Sequence, residues 1–181
     1  KLLKTTVPKR NQINFIFKRP TNRLFIKPLN LDVDESWAII ERNPTKDTII
    51  YWVKELGQDS LKLEISEDSV ILDTIKIALF KKSKGKKSES ENKGLQKLLI
   101  TNNLKSNFID LNKPLILTCG YPLLAIDTSG IHLYENDTIP IEVNYSYVDS
   151  VNRKIKIEHK WKKSTSYSLL IQDSTFIDIH N

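Results

Sequence analysis

Leu61-Lys62-Leu63-Glu64-Ile65 and Ile155-Lys156-Ile157-Glu158-His159-Lys160-Trp161 alternate between apolar and polar residues. Successive side chains of a strand point to opposite faces, so a period of two marks a sheet with one buried and one solvated face. Such half-wet sheets are antiparallel. The same reading predicts strands in the first half over 13–18, 23–27, 37–42, 48–54, 61–65 and 70–79. In the second half it predicts 98–101, 108–110, 115–119, 131–135, 139–148, 154–162, 166–171 and 176–179. No window of about 11 residues carries a helical stripe. Short strands separated by regular turns are the signal of a sandwich or barrel.

The breaks between strands share a chemistry. Eight of the 12 aspartates are followed directly by Ser or Thr: Asp47-Thr48, Asp59-Ser60, Asp68-Ser69, Asp73-Thr74, Asp127-Thr128, Asp137-Thr138, Asp149-Ser150 and Asp173-Ser174. Asp and Ser bond their own backbone in turns, while Thr already favours a strand. The pair therefore reads as punctuation at strand edges. A larger break is the stretch 81–94, which has no apolar side chain and cannot contribute to a core. It divides the chain into a domain over 1–80, a polar basic linker or loop over 81–94, and a domain over 95–181. The expectation is all-β: two tandem antiparallel β-sandwiches joined by a lysine-rich linker. A single barrel is the runner-up, which the linker would have to interrupt.

Charge changes the picture little. The net charge is +6, but residues 81–94 hold six lysines against two glutamates, so this one stretch supplies four of those charges. A solvated loop is the common meaning of such a run. The five glycines leave almost no room for a phosphate-cradling G-x-G loop, and no apolar run nears the roughly 20 residues of a spanning helix. Cys119 is the single cysteine, so no intramolecular disulfide forms and a zinc site would lack its usual sulfur ligands. It follows Leu115-Ile116-Leu117-Thr118 and reads as a buried structural thiol. His132, His159 and His180 fall on separate strands or turns without H-x-H or H-x-x-x-H spacing. Asp32, Asp34 and Glu35 cluster without the spacing of a calcium loop and read as solvated. No catalytic residue, metal ligand or cofactor is assigned. Trp37, Trp52 and Trp161 each fall in a strand pattern and read as core. The chain begins mid-pattern and contains no Met, so it is expected to be a piece of a longer protein.

The segment Trp161-Lys162-Lys163-Ser164-Thr165-Ser166-Tyr167-Ser168-Leu169-Leu170, followed by Phe176-Ile177-Asp178-Ile179-His180-Asn181, resembles the end of bacterial Ig-like domains of the S-layer type. Lys163-Ser164 stands where that family carries Pro-Gly, and His180 where it carries Gly. The resemblance implies that Asp178 and Asn181 shape the turn into a last strand that would follow Asn181. In the first half, Asn11-Gln12-Ile13-Asn14-Phe15-Ile16-Phe17, Pro28-Leu29, the run from Thr45 to Val53 and Asp59-Ser60-Leu61-Lys62-Leu63 resemble the Ig-like repeats of large Bacteroidetes envelope lipoproteins.

The resemblance implies an extracytoplasmic location, in the periplasm or on the outer-membrane surface. Membrane contact would come only through a lipid anchor outside this chain. It also gives the Asp-Ser/Thr pairs a second reading, because such bacteria attach O-glycans at Asp-(Ser/Thr)-(small or aliphatic). The candidate acceptors are Thr48, Ser60, Ser69, Thr74, Thr138, Ser150 and Ser174; Asp127-Thr128-Ser129 does not fit. The function expected is that of a non-enzymatic structural or interaction segment of a cell-envelope protein, which spaces or presents domains or binds a protein partner. The first alternative is a carbohydrate-binding sandwich with Tyr145, Tyr147 and Trp161 as the ligand platform. Nucleic-acid binding through residues 81–94 is the second alternative, although no nucleic-acid partner is expected.

Overall fold

The computed structural model describes residues 1–21, 23–54, 57–79 and 98–180; the lysine-rich stretch 81–94 lies outside them. The chain divides into two compact units, Lys1–Lys93 and Gly94–Asn181. Both are built almost wholly from antiparallel strands.

The first unit contains β1 (Leu2–Thr6), β2 (Gln12–Phe17), β3 (Leu24–Pro28), β4 (Ala38–Arg42), β5 (Thr48–Val53), β6 (Ser60–Glu67) and β7 (Val70–Ala78). One sheet has the order β1-β2-β5-β4 and the other β3-β6-β7. Their inner faces share one core. Alternation in β6 drives Leu61, Leu63 and Ile65 to 0% exposure, where they meet Ile13 and Phe15 of β2, Ile49 and Tyr51 of β5, and Ile26 of β3. Burying each such side chain contributes about 1.5–3 kcal/mol. Phe15 stands edge-on to Tyr51 at 5.4 Å, a preferred arrangement of aromatic quadrupoles. The β6–β7 hairpin turns on Asp68 and Ser69, both left-handed (φ 48° and 68°), as a two-residue hairpin with the twist of its strands requires.

The second unit contains β8 (Ile100–Asn102), β9 (Leu115–Cys119), β10 (Leu123–Ile126), β11 (Ile131–Glu135), β12 (Ile139–Ile141), β13 (Asn144–Tyr147), β14 (Lys154–Glu158), β15 (Tyr167–Ile171) and β16 (Phe176–Asp178). Its sheets are β13-β14-β9-β8, β12-β11-β15 and the pair β10-β16. Leu115, Leu117, Cys119, Ile155, Ile157, Ile131, Leu133 and Trp161 form its core. Both units are therefore sandwich-like.

Three expectations from the sequence are corrected. Residues 108–110 form no strand: Phe108 makes one isolated bridge to Lys105 and is 80% exposed. Residues 139–148 split into β12 and β13, which pair with β11 and β14 respectively, so the chain changes sheets at Glu142-Val143. Pro140, which has no N–H to donate, sits in the edge strand β12. Residues 35–37 form a 3-10 turn, and the strand begins at Ala38.

Candidate functional site

The proposed aromatic platform is not assembled on one surface. Trp161 is buried in the core of the second unit, and its Nε1 donates to the carbonyl of Lys113 at 3.0 Å. Its ring meets His159 and Tyr167 edge-on, at 5.1 and 4.9 Å. Tyr145 is half-buried against the same core, whereas Tyr147 is exposed. Among the described residues no ring contact joins either tyrosine to Trp161. Trp37 and Trp52 are buried as well. Trp52 lies on the opposite face of β5 from Tyr51. There Lys9 lies 4.8 Å from its ring, and its Nε1 donates to Glu41 Oε2 at 2.8 Å.

The Asp-Ser/Thr pairs sit where turns were expected, with one exception. Asp68-Ser69 and Asp137-Thr138 occupy hairpin turns, and Asp149-Ser150 and Asp173-Ser174 occupy the turns before β14 and β16. Asp47-Thr48 and Asp59-Ser60 open β5 and β6, and Asp127-Thr128 opens a 3-10 turn. Asp73-Thr74 lies inside β7, beside a register shift. The carboxylates act on their own turns: Asp127 accepts from the backbone N–H and hydroxyl of Ser129, and Asp149 from the N–H groups of Arg153 and Lys154. Hydrogen bonds from Asn43, Thr45 and Thr48 hold the Asp47 carboxyl below its ordinary value, and those from Ser129 do the same for Asp127. Of the candidate acceptors, Ser69, Thr74, Thr138, Ser150 and Ser174 are exposed, while Thr48 and Ser60 are half-buried.

Other chemistry is dispersed. His132 lies beside Gln172, and His180 stands edge-on to Tyr121. Among the described residues no three His, Cys, Asp or Glu side chains gather as a metal site would require. Asp34 caps the 3-10 turn by accepting from Ser36 N–H. Cys119 is buried, and burial pushes its thiol up to about 11. No helix among the described residues is long and apolar enough to cross a membrane.

One concavity of the second unit leaves no local pattern in the sequence. A groove of about 1130 Å³ runs along the second unit, with β8 and β15 in its walls. Ile100, Leu104, Leu117, Trp161, Tyr167 and Leu169 give it an apolar lining, and exposed Phe108 and Leu111 extend that surface at its rim. Among the described residues, Lys162 and Lys163 are its only charged lining residues. Lys162 pairs with Glu135 at 2.9 Å.

Among the described residues β15 is paired on one side only, with β11. The bonds from Asn136 N–H to Ser166 and from Gln172 N–H to Gly130 set the alternation, so the backbone groups of Ser168 and Leu170 face β11. Those of Tyr167, Leu169 and Ile171 face the open edge. The same three side chains remain only half-buried, in contrast to fully buried Leu61, Leu63 and Ile65 of β6.

Compared with protein-family models, curated proteins and solved structures, the chain matches none.

Proposed function

We propose that this chain is a non-enzymatic, tandem Ig-like segment of a bacterial envelope protein, which spaces or presents other domains and binds a protein partner. The observation that carries this reading is a repeated strand order. β1-β2-β5-β4 facing β3-β6-β7 has the order of strands A-B-E-D and C-F-G in a constant-type Ig sandwich. In the second unit β8-β9-β14-β13 repeats the first of these sheets, and the pair β11-β15 repeats C-F.

Sandwiches of this kind serve as rigid modules with functional surfaces on edges and loops. The buried tryptophans favour the structural reading over the carbohydrate-binding one. The exposed Asp-Ser/Thr pairs suit an envelope surface, because the five exposed hydroxyls are accessible to a glycosyltransferase.

Fractionation of the native host with an antibody against residues 1–181 tests the reading. Recovery in the envelope fraction is the expected result; recovery in the cytosol overturns it. The intact mass of the same native protein tests the decoration, and an unmodified mass removes the glycan part.

A further inference from the structure

We propose that one end of the first unit, built from the loops that follow β2, β4 and β6, is a docking surface for an acidic polypeptide segment with an aliphatic side chain among its carboxylates. This rests on the reading that the chain binds a protein partner, and names the surface and the chemistry of that contact.

Hydrogen bonds tie the three loops into one surface. Thr21 N–H donates to the carbonyl of Lys46 at 3.1 Å, and the Arg42 guanidinium donates to the carbonyl of Thr21 at 3.4 Å. The Thr21 hydroxyl donates to Glu67, the last residue of β6, and Arg23 pairs with Asp68 at 3.0 Å. Phe17 N–H bonds to the carbonyl of Asp47 at 2.8 Å, which sets Lys18 beside the loop between β4 and β5. Lys18, Arg19, Arg23, Arg42 and Lys46 thus share one end of the sandwich, and all five are exposed.

The carboxylates of the same end are already engaged. Asp47 accepts from Asn43 at 2.7 Å and from Thr48 at 3.1 Å, Glu67 accepts from Thr21, and Asp68 accepts from Arg23. Among the described residues Lys18, Arg19, Arg42 and Lys46 enter no ion pair. The other end of the unit is mixed: Asp32, Asp34, Glu35 and Asp59 stand in its loops with Lys9, Arg10 and Lys54. The field therefore differs between the two ends and draws an anionic partner to this one.

The uncharged surroundings favour polypeptide over other polyanions. Val70 lies opposite Glu67 across the hairpin and is 62% exposed, so an aliphatic side chain stands next to the cations. The described residues of the three loops include no aromatic ring, whereas single-stranded nucleic acid is held by base stacking on such rings as well as by charge. Carboxylates on either side of a Val or Leu meet both features: charge-assisted bonds to Arg19 and Arg42, and apolar contact with Val70.

The probe is an N-acetylated, C-amidated peptide, Glu-Asp-Val-Glu-Leu-Asp-Glu, titrated into the whole chain while backbone amide shifts are followed by NMR. Its control replaces each Glu by Gln and each Asp by Asn. The expected result is saturable shifts at Lys18, Arg19, Thr21, Lys46 and Val70 with a dissociation constant below about 1 mM, and none with the control. Affinity should fall about tenfold in the double variant Arg19→Glu with Lys46→Glu, and fall again as salt is raised. Both residues are exposed, and unchanged shifts of the first unit's core amides check that the variant folds. An unchanged affinity in the variant overturns the proposal, as do an absence of shifts at these loops, shifts confined to the lysines of 81–94, or equal shifts with the control. Tighter binding of an oligothymidylate or a sulfated oligosaccharide at the same loops also overturns it, because the partner is then a different polyanion. The readout is independent of cellular location, so failure of the envelope assignment and failure of peptide docking are separate results.

Discussion

The ring of Tyr167 stands at 84° to that of Trp161, with centroids 4.9 Å apart. This pair ties the open-edged strand β15 to the core of the second unit, and the Tyr167 hydroxyl adds to it by accepting from Lys162 N–H at 2.9 Å. Trp161→Ala is expected to destabilise the second unit by about 3–5 kcal/mol, through the lost transfer energy and the cavity left behind. Trp161→Phe keeps a ring but leaves the Lys113 carbonyl without its donor, which costs about 1 kcal/mol. Urea unfolding followed by circular dichroism checks both values. A loss below about 1 kcal/mol for Trp161→Ala would place the indole outside the core.

Asp149 and Asp173 separate turns that are held by their carboxylate from turns that merely contain one. Asp149 Oδ1 accepts from Arg153 N–H at 2.9 Å and Lys154 N–H at 2.8 Å. Asp149→Ala should cost about 2 kcal/mol, since bonds to a charged acceptor are the stronger kind. No side-chain hydrogen bond is seen for exposed Asp173 among the described residues, and Asp173→Ala should stay within about 0.5 kcal/mol. Equal losses in the two melts would sink the distinction.

Trp52 lies on the opposite face of its sheet from the first unit's core, yet it is 1% exposed. Its Nε1 donates to Glu41. Glu41→Ala leaves a buried N–H without that acceptor and is expected to cost about 1–3 kcal/mol, whereas Glu41→Gln retains an acceptor and should cost less. The two variants are compared by thermal unfolding; identical midpoints would contradict the bond's contribution.

The extent to which the sequence was legible follows from where its alternation is clean. Leu61-Lys62-Leu63-Glu64-Ile65 and Lys154-Ile155-Lys156-Ile157-Glu158 could be placed because each buries one face against a core and wets the other. β1 escaped notice because its side chains are at most half-buried on either face. β10 escaped because Leu123-Leu124-Ala125-Ile126 has no alternation. Phe108-Ile109 looked like the opening of a strand by composition alone, but it has no partner ladder. The groove was illegible for a deeper reason. It brings Ile100 and Leu104 together with Leu169, which lies far away in sequence. Pairing of that kind leaves no local periodicity.

Two buried acids give the chain an alkaline limit. Burial pushes the Cys119 thiol from 9.0 up to about 11 and the Tyr51 hydroxyl from 10.0 up to about 12. Both are neutral in the folded chain, and the unfolded chain gives up these protons first. Their contribution is intact below about pH 9 and is lost as pH rises to about 11 for Cys119 and about 12 for Tyr51. Cys119→Ala should flatten the second unit's loss between about pH 9 and pH 11, as read from denaturation midpoints in alkaline buffers. An unchanged slope would contradict it. At neutral pH the native thiol should resist alkylation until denaturant is added.

Two similar sandwiches differ at one strand: β6 is covered on both edges and, among the described residues, β15 on one. Backbone amide exchange of the whole chain, resolved residue by residue, measures this directly. Leu61 and Leu63, bonded to β7, should exchange slowly, and so should Ser168 and Leu170, bonded to β11. Tyr167, Leu169 and Ile171 should exchange fast. Equal protection along all of β15 would contradict the open edge, and fast exchange at Leu61 and Leu63 would contradict the seven-strand sandwich from which it was inferred.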